Sequence, residues 1–520
     1  MKKKVHILWI DDEIDLLRPH ILFLEGKDYN VSTANNGNDA VELVRKQDYD
    51  LIFLDENMPG LSGLETLKKI VEVRSSIPIV MITKSEEEDI MDAAVGSRIA
   101  DYLIKPVNPN QILLSIKKNL DNRKLITDQT TSAYQSEFGN ISTQLGSAST
   151  FGEWSEIYKR LIYWELELDN MGDSHMYEVF RLQKQEADIG FGKFIKNNYL
   201  TWFGPDNNTK PVLSPGLFQS YILPELKKSE KLVLLLIDNM RFDQWRVIQP
   251  EINQHYITDQ EDIYCSILPT STQYARNSIF SGLMPAAIQK LYPDFWFKDE
   301  EDVNKNEFEQ QLLELQLQRV GIKTKLYFQK IFNNAMAAKV LDNLANILQN
   351  NLIVLVYNFV DMLSHANTDV EMIRELASTD PAYRSLTLSW FKHSYLIELF
   401  RELSQKNIRV LLTTDHGTIR VCHPVKVIGD KTTSRNLRYK LGKNLSYNPR
   451  EVFEILYPEK AQLPKSTVSS KYIFTMRDDF FAYPNNYNYY VKYYTNTYQH
   501  GGISMEEMIL PFIKLKSRIF

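Results

Sequence analysis

Three apolar runs in the sequence each end in an aspartate: "KLVLLLID" at Asp238, "NLIVLVYNFVD" at Asp361 and "IRVLLTTD" at Asp415. Two of these acids bring imidazoles. His416 directly follows Asp415, and "DMLSH" sets His365 four residues after Asp361, on the same face if the segment is helical. A later "YQHGGIS" adds His500 beside two glycines. Aspartates and histidines in this combination make two ligand sets of the kind that hold zinc or manganese. Two divalent ions close together suit phosphoryl transfer. A nucleophile is offered by "SILPTSTQYARNSIFSGLMP", where Pro269 and the hydroxyls of Thr270, Ser271 and Thr272 precede a helical pattern. Exposed N–H groups at a helix start favour an anion. Plain capping accounts for the same hydroxyls, and a turn accounts for Asp415-His416 taken alone. The weight lies in the combination.

A second constellation stands near the amino terminus. Asp11 and Asp12 follow one apolar run, Asp55 another, Thr83 a third, and Lys105 a fourth. Clustered carboxylates repel one another unless a hard cation such as Mg²⁺ joins them. A carboxylate beside Mg²⁺ can accept a phosphoryl group whose oxygens Thr83 and Lys105 contact.

The elements that must position these groups can be read from periodicity. Residues 1 to about 122 alternate short runs ("VHILWI", "YNVSTA", "LIFLD", "PIVMIT", "DYLIKP") with amphipathic segments such as "GLETLKKIVEVR". Such alternation predicts a parallel sheet whose ligands gather at the carboxyl ends of its strands. Residues 126 to 150 are rich in Ser, Thr, Asn and Gly and read as a hinge. "EWSEIYKRLIYWELELD" and "HMYEVFRLQKQEADIGFGKFIKNNYLTWF" carry apolar and aromatic residues at helical spacing, predicting a small helical bundle to about residue 205. Its aromatics call for a neighbour to pack against, such as a second copy of the chain. From 206 the strand pattern returns. The expected domains are 1–122, 123–205 and 206–520, all within an α/β protein.

Composition narrows the class. A chain of 520 residues, 43% apolar and 24% charged, is globular and exceeds one ordinary domain. A formal net charge of −6 exerts no global pull toward DNA or an anionic membrane. The two cysteines, Cys265 and Cys422, exclude a disulfide framework and a cysteine zinc cage. The start, "MKKKVHILWIDDEID", has acids where a secretion signal needs apolar residues, and no apolar run nears the ~20 residues of a membrane helix. A cytoplasmic protein without a membrane span is expected. Residues 420 to 450 hold eight Lys or Arg against one acid, Asp430, with Tyr439 and Tyr447 interleaved. This is either a nucleic-acid contact or a solvated basic loop.

Two resemblances add to this reading. "DDE" at 11 to 13, "LDENMPGLSGLE", Thr83 and "DYLIKP" closely resemble the receiver domain of two-component response regulators. The resemblance implies a flavodoxin-like fold in which a sensor histidine kinase phosphorylates Asp55. It also implies Mg²⁺ held by Asp11, Asp12, Asp55 and Asn57, and a switch made of Thr83, Tyr102 and Lys105. Lys84 stands where many receivers carry a small residue. The ordered set Asp238, Thr272, Asp361-His365, Asp415-His416, His500 resembles the alkaline phosphatase superfamily, specifically its PglZ branch. That implies an α/β domain with a mixed, mostly parallel sheet and two Zn²⁺ (or Mn²⁺) ions. One ion would be held by Asp361, His365 and His500, the other by Asp238, Thr272, Asp415 and His416, with Thr272 as nucleophile. Arg276, in "QYARN", departs from the phosphodiesterase pattern and is a candidate for holding phosphate. Monoester and diester specificity both stay open.

Taken together, receiver, bundle and PglZ domain resemble the PorX-type response regulators. The implied function is a phosphorylation-controlled phosphohydrolase acting on nucleotides or oligonucleotides and regulating type IX protein secretion and gliding. The implied partners are a histidine kinase, a second copy in a phosphorylation-dependent homodimer, and a sigma factor or secretion components. The alternative is a non-catalytic docking module that uses its metals structurally.

Overall fold

The computed structural model describes residues 4–74, 77–84, 99–171, 174–204, 209–297, 305–430, 433–465 and 467–518. The chain forms two compact units that meet between residues 135 and 136. In the first, strands β1 (His6–Ile10), β2 (Asn30–Ala34), β3 (Leu51–Asp55), β4 (Ile79–Thr83) and β5 (Asp101–Ile104) make a sheet in the order 2-1-3-4-5. Every pairing is parallel, as the strand–helix alternation predicts. The central strands β3 and β4 are buried along their whole length, because helices cover both faces. One face packs Leu8, Ile52, Leu54 and Ile70; the other packs Trp9, Phe53, Val80 and Ile112.

Helix α1 spans Arg18–Glu25, α2 Gly37–Lys46 and α3 Gly63–Val73. The start of α3 is fixed by a capping box between Ser62 and Glu65. Gly63 is required there: a Cβ would lie 2.5 Å from the Asp55 carbonyl oxygen. The helix thus closes directly under the strand end that carries Asp55.

Helix α4 runs unbroken over Pro109–Ser147. The stretch expected as a hinge is therefore helical, for all its Ser, Thr, Asn and Gly. It lacks proline and keeps Phe138, Ile141 and Leu145 at 3-4 spacing, so packing overrides weak propensity. Ile141 is buried, and Gln183 donates to the Phe138 carbonyl and the Ser142 hydroxyl at 2.9 and 3.0 Å.

In the second unit, β6 (Leu232–Ile237), β7 (Tyr256–Cys265), β8 (Leu326–Ile331), β9 (Leu352–Tyr357), β10 (Arg409–Thr413) and β11 (Ile509–Ser517) form a six-stranded sheet ordered 7-11-10-6-9-8. Strand β11 is antiparallel to both neighbours, and the other pairings are parallel, so the sheet is mixed and mostly parallel. Strands β6 and β9 are wholly buried. Residues between β10 and β11 add smaller sheets: His423–Ile428 beside Asp479–Ala482, and Tyr439–Gly442, Lys471–Thr475 and Val452–Ile455.

Helices α5 (Phe151–Met171) and α6 (Ser174–Asn198) find their neighbour within the same unit. Tyr158 packs on Phe242 of helix α7 (Phe242–Ile252), with ring centroids 6.0 Å apart. Arg384, on helix α10 (Asp380–His393), joins Glu165 at 3.0 Å, Asp243 at 2.9 Å and also Asp169. Burial alone would raise the Asp243 carboxyl, but Arg241 and Arg384 hold it at about 2. No helix among the described residues is long and apolar enough to cross a membrane.

Lys440 is the contrary case. Its ammonium donates to the Ser434 carbonyl at 3.1 Å and sits over Tyr483, with no carboxylate counter-ion among those contacts. Burial lowers its pKa to about 7. The unfolded chain then binds a proton that the folded chain refuses between pH 7 and the ordinary lysine range. Stability therefore rises with pH across that window and carries the full cost below it. The rise in melting temperature from Lys440→Met should be larger at about pH 6 than at about pH 9. Equal gains at both values would show that the lysine is charged in the fold.

Candidate functional site

The first unit brings its predicted residues together at the carboxyl edge of the sheet. Asp11, Asp55 and Thr83 are buried, and Asp12 and Asn57 are exposed at the rim. Carboxylate oxygens of Asp11, Asp12 and Asp55 lie within 4.8 Å of one another. Lys105 Nζ reaches Asp11 at 2.9 Å and Asp55 at 3.1 Å. Burial first, then the neighbouring Asp11, raises the Asp55 carboxyl against the opposing pull of Lys105. A divalent cation would relieve that repulsion, and the three acids fit Mg²⁺. Tyr102 is half-buried against the core on β5, and Lys84 lies 3.6 Å from Glu13.

The second unit gathers its set at the same kind of edge. Asp238 follows β6 and Asp415-His416 follow β10. Asp361 sits in the first turn of helix α9 (Phe359–Asp369), which also carries His365. Two groups form, each with ligand atoms within 4.8 Å of one another: Asp361, His365 and His500, and Asp238, Asp415 and His416. Within the first, His365 Nε2 is 3.5 Å and His500 Nε2 3.9 Å from Asp361. Within the second, His416 Nε2 is 3.8 Å from Asp238 and 3.7 Å from Asp415. The groups adjoin, since the rings of His416 and His500 stack at 4.3 Å.

These residues fit metal ions. Asp238 Oδ1 and Asp415 Oδ2 are buried and accept no hydrogen bond, so two carboxylate oxygens are held ready for a cation. Burial raises Asp415 and, with Asp238 beside it, brings Asp361 up to about 6. Burial also pushes His416 and His500 down, which keeps both imidazoles neutral, the form that ligates. The contact between His416 Nδ1 and the Gly417 carbonyl at 3.1 Å places the proton there and leaves Nε2 with a free lone pair.

Thr272 Oγ1 lies 3.1 Å from that Nε2. It opens helix α8 (Thr272–Ser281), whose N-cap, Ser271, makes no side-chain capping bond. Capping therefore does not account for these hydroxyls. Thr270 serves differently, as the anchor of the His500 loop. It donates to the Gly502 carbonyl at 2.9 Å, accepts from Gly501 N–H at 3.1 Å, and its own carbonyl meets His500 Nδ1 at 3.2 Å. Gly501 has φ of +120°, a backbone that favours glycine.

Arg276 is not at the rim, where a phosphate would arrive. Its guanidinium is buried and donates to Asp238 at 2.5 Å and Glu309 at 2.6 Å, with Asp415 at 3.8 Å. Nor is the 420–450 run a continuous basic surface. Arg438 and Lys440 are buried, Arg438 being paired with Glu507 at 2.5 Å, and Lys431 lies outside the described residues. Residues that the motifs did not single out complete the site: Asn239 Nδ2 donates to Asp361 at 3.3 Å and to Ser364 at 2.9 Å, and Asn358 Nδ2 to Asp238 at 2.9 Å. The available signal was position, since both asparagines stand just past a strand end.

Three family models match the chain in order: a response regulator receiver domain over residues 7–117, the PorX response regulator linker domain over 124–203, and the BREX system PglZ alkaline phosphatase-like domain over 217–515. This is the PorX-type architecture. Among curated relatives, the transcriptional regulatory protein ZraR of Klebsiella oxytoca is 34% identical over 139 residues, 27% of this chain and 31% of that protein. ResD of Bacillus subtilis (strain 168) is 35% identical over 111 residues, 21% of this chain and 46% of that protein. The chain thus spans a third to a half of these relatives' length. A CheY-like receiver domain from Methanospirillum hungatei JF-1 is 26% identical, with 23% of this chain and 96% of that chain covered and a TM-score of 0.23.

Proposed function

Because the chain belongs to the family of the BREX system PglZ alkaline phosphatase-like domain, carried here behind a response-regulator receiver, we propose that it is a two-component regulator whose output is metal-dependent hydrolysis of a phosphodiester. The observation that carries this reading is Thr272 Oγ1 at 3.1 Å from His416, which belongs to one of two adjoining Asp/His groups. Asp361, His365 and His500 would hold one ion, and Asp238, Asp415 and His416 the other, with Thr272 beside it; zinc is the first choice for such mixed nitrogen and oxygen donors. Two bound ions supply positive charge to the attacking and leaving oxygens.

The chain's own residues do the rest. Thr272 Oγ attacks phosphorus, forming an Oγ–P bond as the P–O bond to the leaving alcohol breaks. The neutral His416 would give its Nε2 lone pair to the ion, so the Thr272 hydroxyl 3.1 Å away would turn toward that ion and not rest on the imidazole. Water then cleaves the Oγ–P bond of this threonyl diester, releasing the monoester of the second alcohol and restoring the hydroxyl. Burial around Asp238 and Asp415 excludes bulk water and strengthens each interaction. The substrate is a diester of a nucleotide or oligonucleotide, and the cellular role is control of type IX secretion and gliding, with sigma factor or secretion components downstream. The test is hydrolysis of a chromogenic diester and its monoester by zinc-loaded protein; inertness toward both, in metallated and phosphorylated protein, would overturn the reading.

Control enters through Asp55, phosphorylated by a sensor kinase on Mg²⁺ bound by Asp11, Asp12, Asp55 and the Asn57 carbonyl. A phosphoryl group of about −2 charge engaged by Thr83 and Lys105 shifts a two-state receiver surface, Tyr102 included, toward a homodimer. Asp55→Asn should abolish labelling by acetyl phosphate on a phosphate-affinity gel and hold the protein monomeric by light scattering. Dimerisation of this variant with acetyl phosphate, equal to wild type, would remove Asp55 from control.

A further inference from the structure

The helix α11 (Tyr487–Tyr494), "YNYYVKYY", has no buried residue, although five of its eight residues are tyrosine. One side rests on the chain: Tyr487, Val491 and Tyr494 pack on Ile419, Val421, Phe480 and Ala482. The rings also stack on one another in a column, which Tyr494 joins to the packed side. Tyr489 and Tyr493 stack at 6.2 Å and 16°, and the Arg374 guanidinium covers Tyr493 at 5.0 Å. Tyr490 and Tyr494 repeat the stack at 6.2 Å and 12°, with edge contacts between the pairs. The column is closed at the arginine end and open at Tyr489, which is 64% exposed. A well-satisfied surface helix does not leave such rings in water, so an exposed aromatic patch marks a contact.

Its position says for what. Asp361, His365 and Asp369 stand four residues apart on α9 and share one face. The first two belong to the candidate metal set; the third accepts the Tyr493 hydroxyl at 3.4 Å. The tyrosine column therefore meets the metal-bearing face one turn beyond His365, about 6 Å along the helix. His365 is itself exposed on that side. Asp369 lies about 12 Å along the helix from Asp361 and Tyr489 a further 6.2 Å from Tyr493, so an oligonucleotide with its scissile phosphodiester at Thr272 and its strand along this face would bring a base beyond the adjacent one to the column. Lys492 is exposed on the same helix and Arg374 caps the column, so cations accompany the rings. Rings for bases and cations for backbone are how single-stranded nucleic acid is held without sequence preference.

We propose that Tyr489 and Tyr493 form a stacking subsite for a base of a single-stranded oligonucleotide beyond those that flank the scissile phosphodiester. This rests on the phosphodiesterase reading above. The test uses full-length zinc-loaded protein with bis(p-nitrophenyl) phosphate, a thymidine tetranucleotide, and a fluorescent form of the latter for anisotropy. Stacking worth about 1–3 kcal/mol per base predicts that Tyr489→Ala lowers the ratio of kcat/KM for the tetranucleotide to that for the chromogenic diester roughly 5- to 100-fold. The loss should lie in KM, and Tyr489→Trp should restore it. An unchanged ratio with unchanged anisotropy would overturn the subsite while the hydrolase reading stands. Binding that Tyr489→Ala weakens, in a wild type that turns over neither substrate, would overturn the hydrolase reading and keep Tyr489 as a nucleic-acid contact. Displacement of the tetranucleotide by a neutral maltooligosaccharide would assign the rings to a glycan and sink the proposal.

Discussion

Thr272→Val is expected to lower kcat for a chromogenic phosphodiester by roughly 10³-fold or more, with metal content at the wild-type level. Valine keeps the β-branched shape at the first position of α8 and removes only the oxygen that faces His416. No other change should follow in the fold. The three remaining donors of that group, Asp238, Asp415 and His416, are buried and set by strand ends and do not depend on the threonine. Metal analysis beside the kinetics separates lost chemistry from a lost ion. A p-nitrophenyl phosphoryl adduct trapped on residue 272, found by mass spectrometry in wild type after an acid quench of the chromogenic diester, would identify the nucleophile directly. Activity retained within tenfold would remove Thr272 from that role. Activity absent from metallated, phosphorylated wild type would instead favour the docking-module alternative.

Arg438→Ala is expected to destabilise the second unit by about 3–5 kcal/mol, the range for breaking a fully buried ion pair by removing one partner. Arg438 and Glu507 are both wholly buried, and Glu507 also accepts from Gly502 N–H at 2.8 Å and the Ser504 hydroxyl at 2.8 Å. The same carboxylate meets the Thr270 hydroxyl at 3.2 Å. Removing the guanidinium leaves a buried negative charge amid the loop that carries His500, so zinc occupancy should fall along with stability. Urea unfolding of the full chain checks the first effect and metal analysis the second. A loss below about 1 kcal/mol would mean that water replaces the guanidinium without cost. Arg438→Lys should not rescue, because a point ammonium cannot reproduce a fork that also reaches the Asp479 and Ile503 carbonyls.

How much of this was legible follows from where each signal lies. Strand ends were readable because β3, β6 and β9 are buried throughout and so appear as unbroken apolar runs; Asp55 closes β3 and Asp238 follows β6, whereas Asp361 stands four residues past β9, in the first turn of α9. The order of the acids and histidines then carried the family. The α4 helix was missed because propensity was weighed above the 3-4 spacing of Phe138, Ile141 and Leu145. The run from 420 to 450 misled for a related reason: charge along a sequence says nothing of burial, and Arg438 is part of the interior because Glu507 waits for it some seventy residues later. Arg276 stood out in the sequence as a candidate, but its burial was not legible, since its partners Asp238 and Glu309 come from elements on either side of α8. Pairings this distant leave no local pattern.

Strand β11 lies between β10 and β7, yet it is the last strand in the chain. Strand β10 delivers Asp415 and His416, and its edge toward β7 has no partner until residues 509–517 arrive. Synthesis on the ribosome therefore finishes the receiver hundreds of residues before the six-stranded sheet can close, and the late pairings carry the long loop-closure delay of distant contacts. A ribosome that stalls before Ile509, or a protease that trims there, leaves the receiver whole and β10, β6, β9 and β8 without the strand that joins them to β7. Such a fragment would keep the phosphate-accepting edge and lose the junction between β7 and β10, so the position of one strand makes residues 509–517 a condition for completing the sheet.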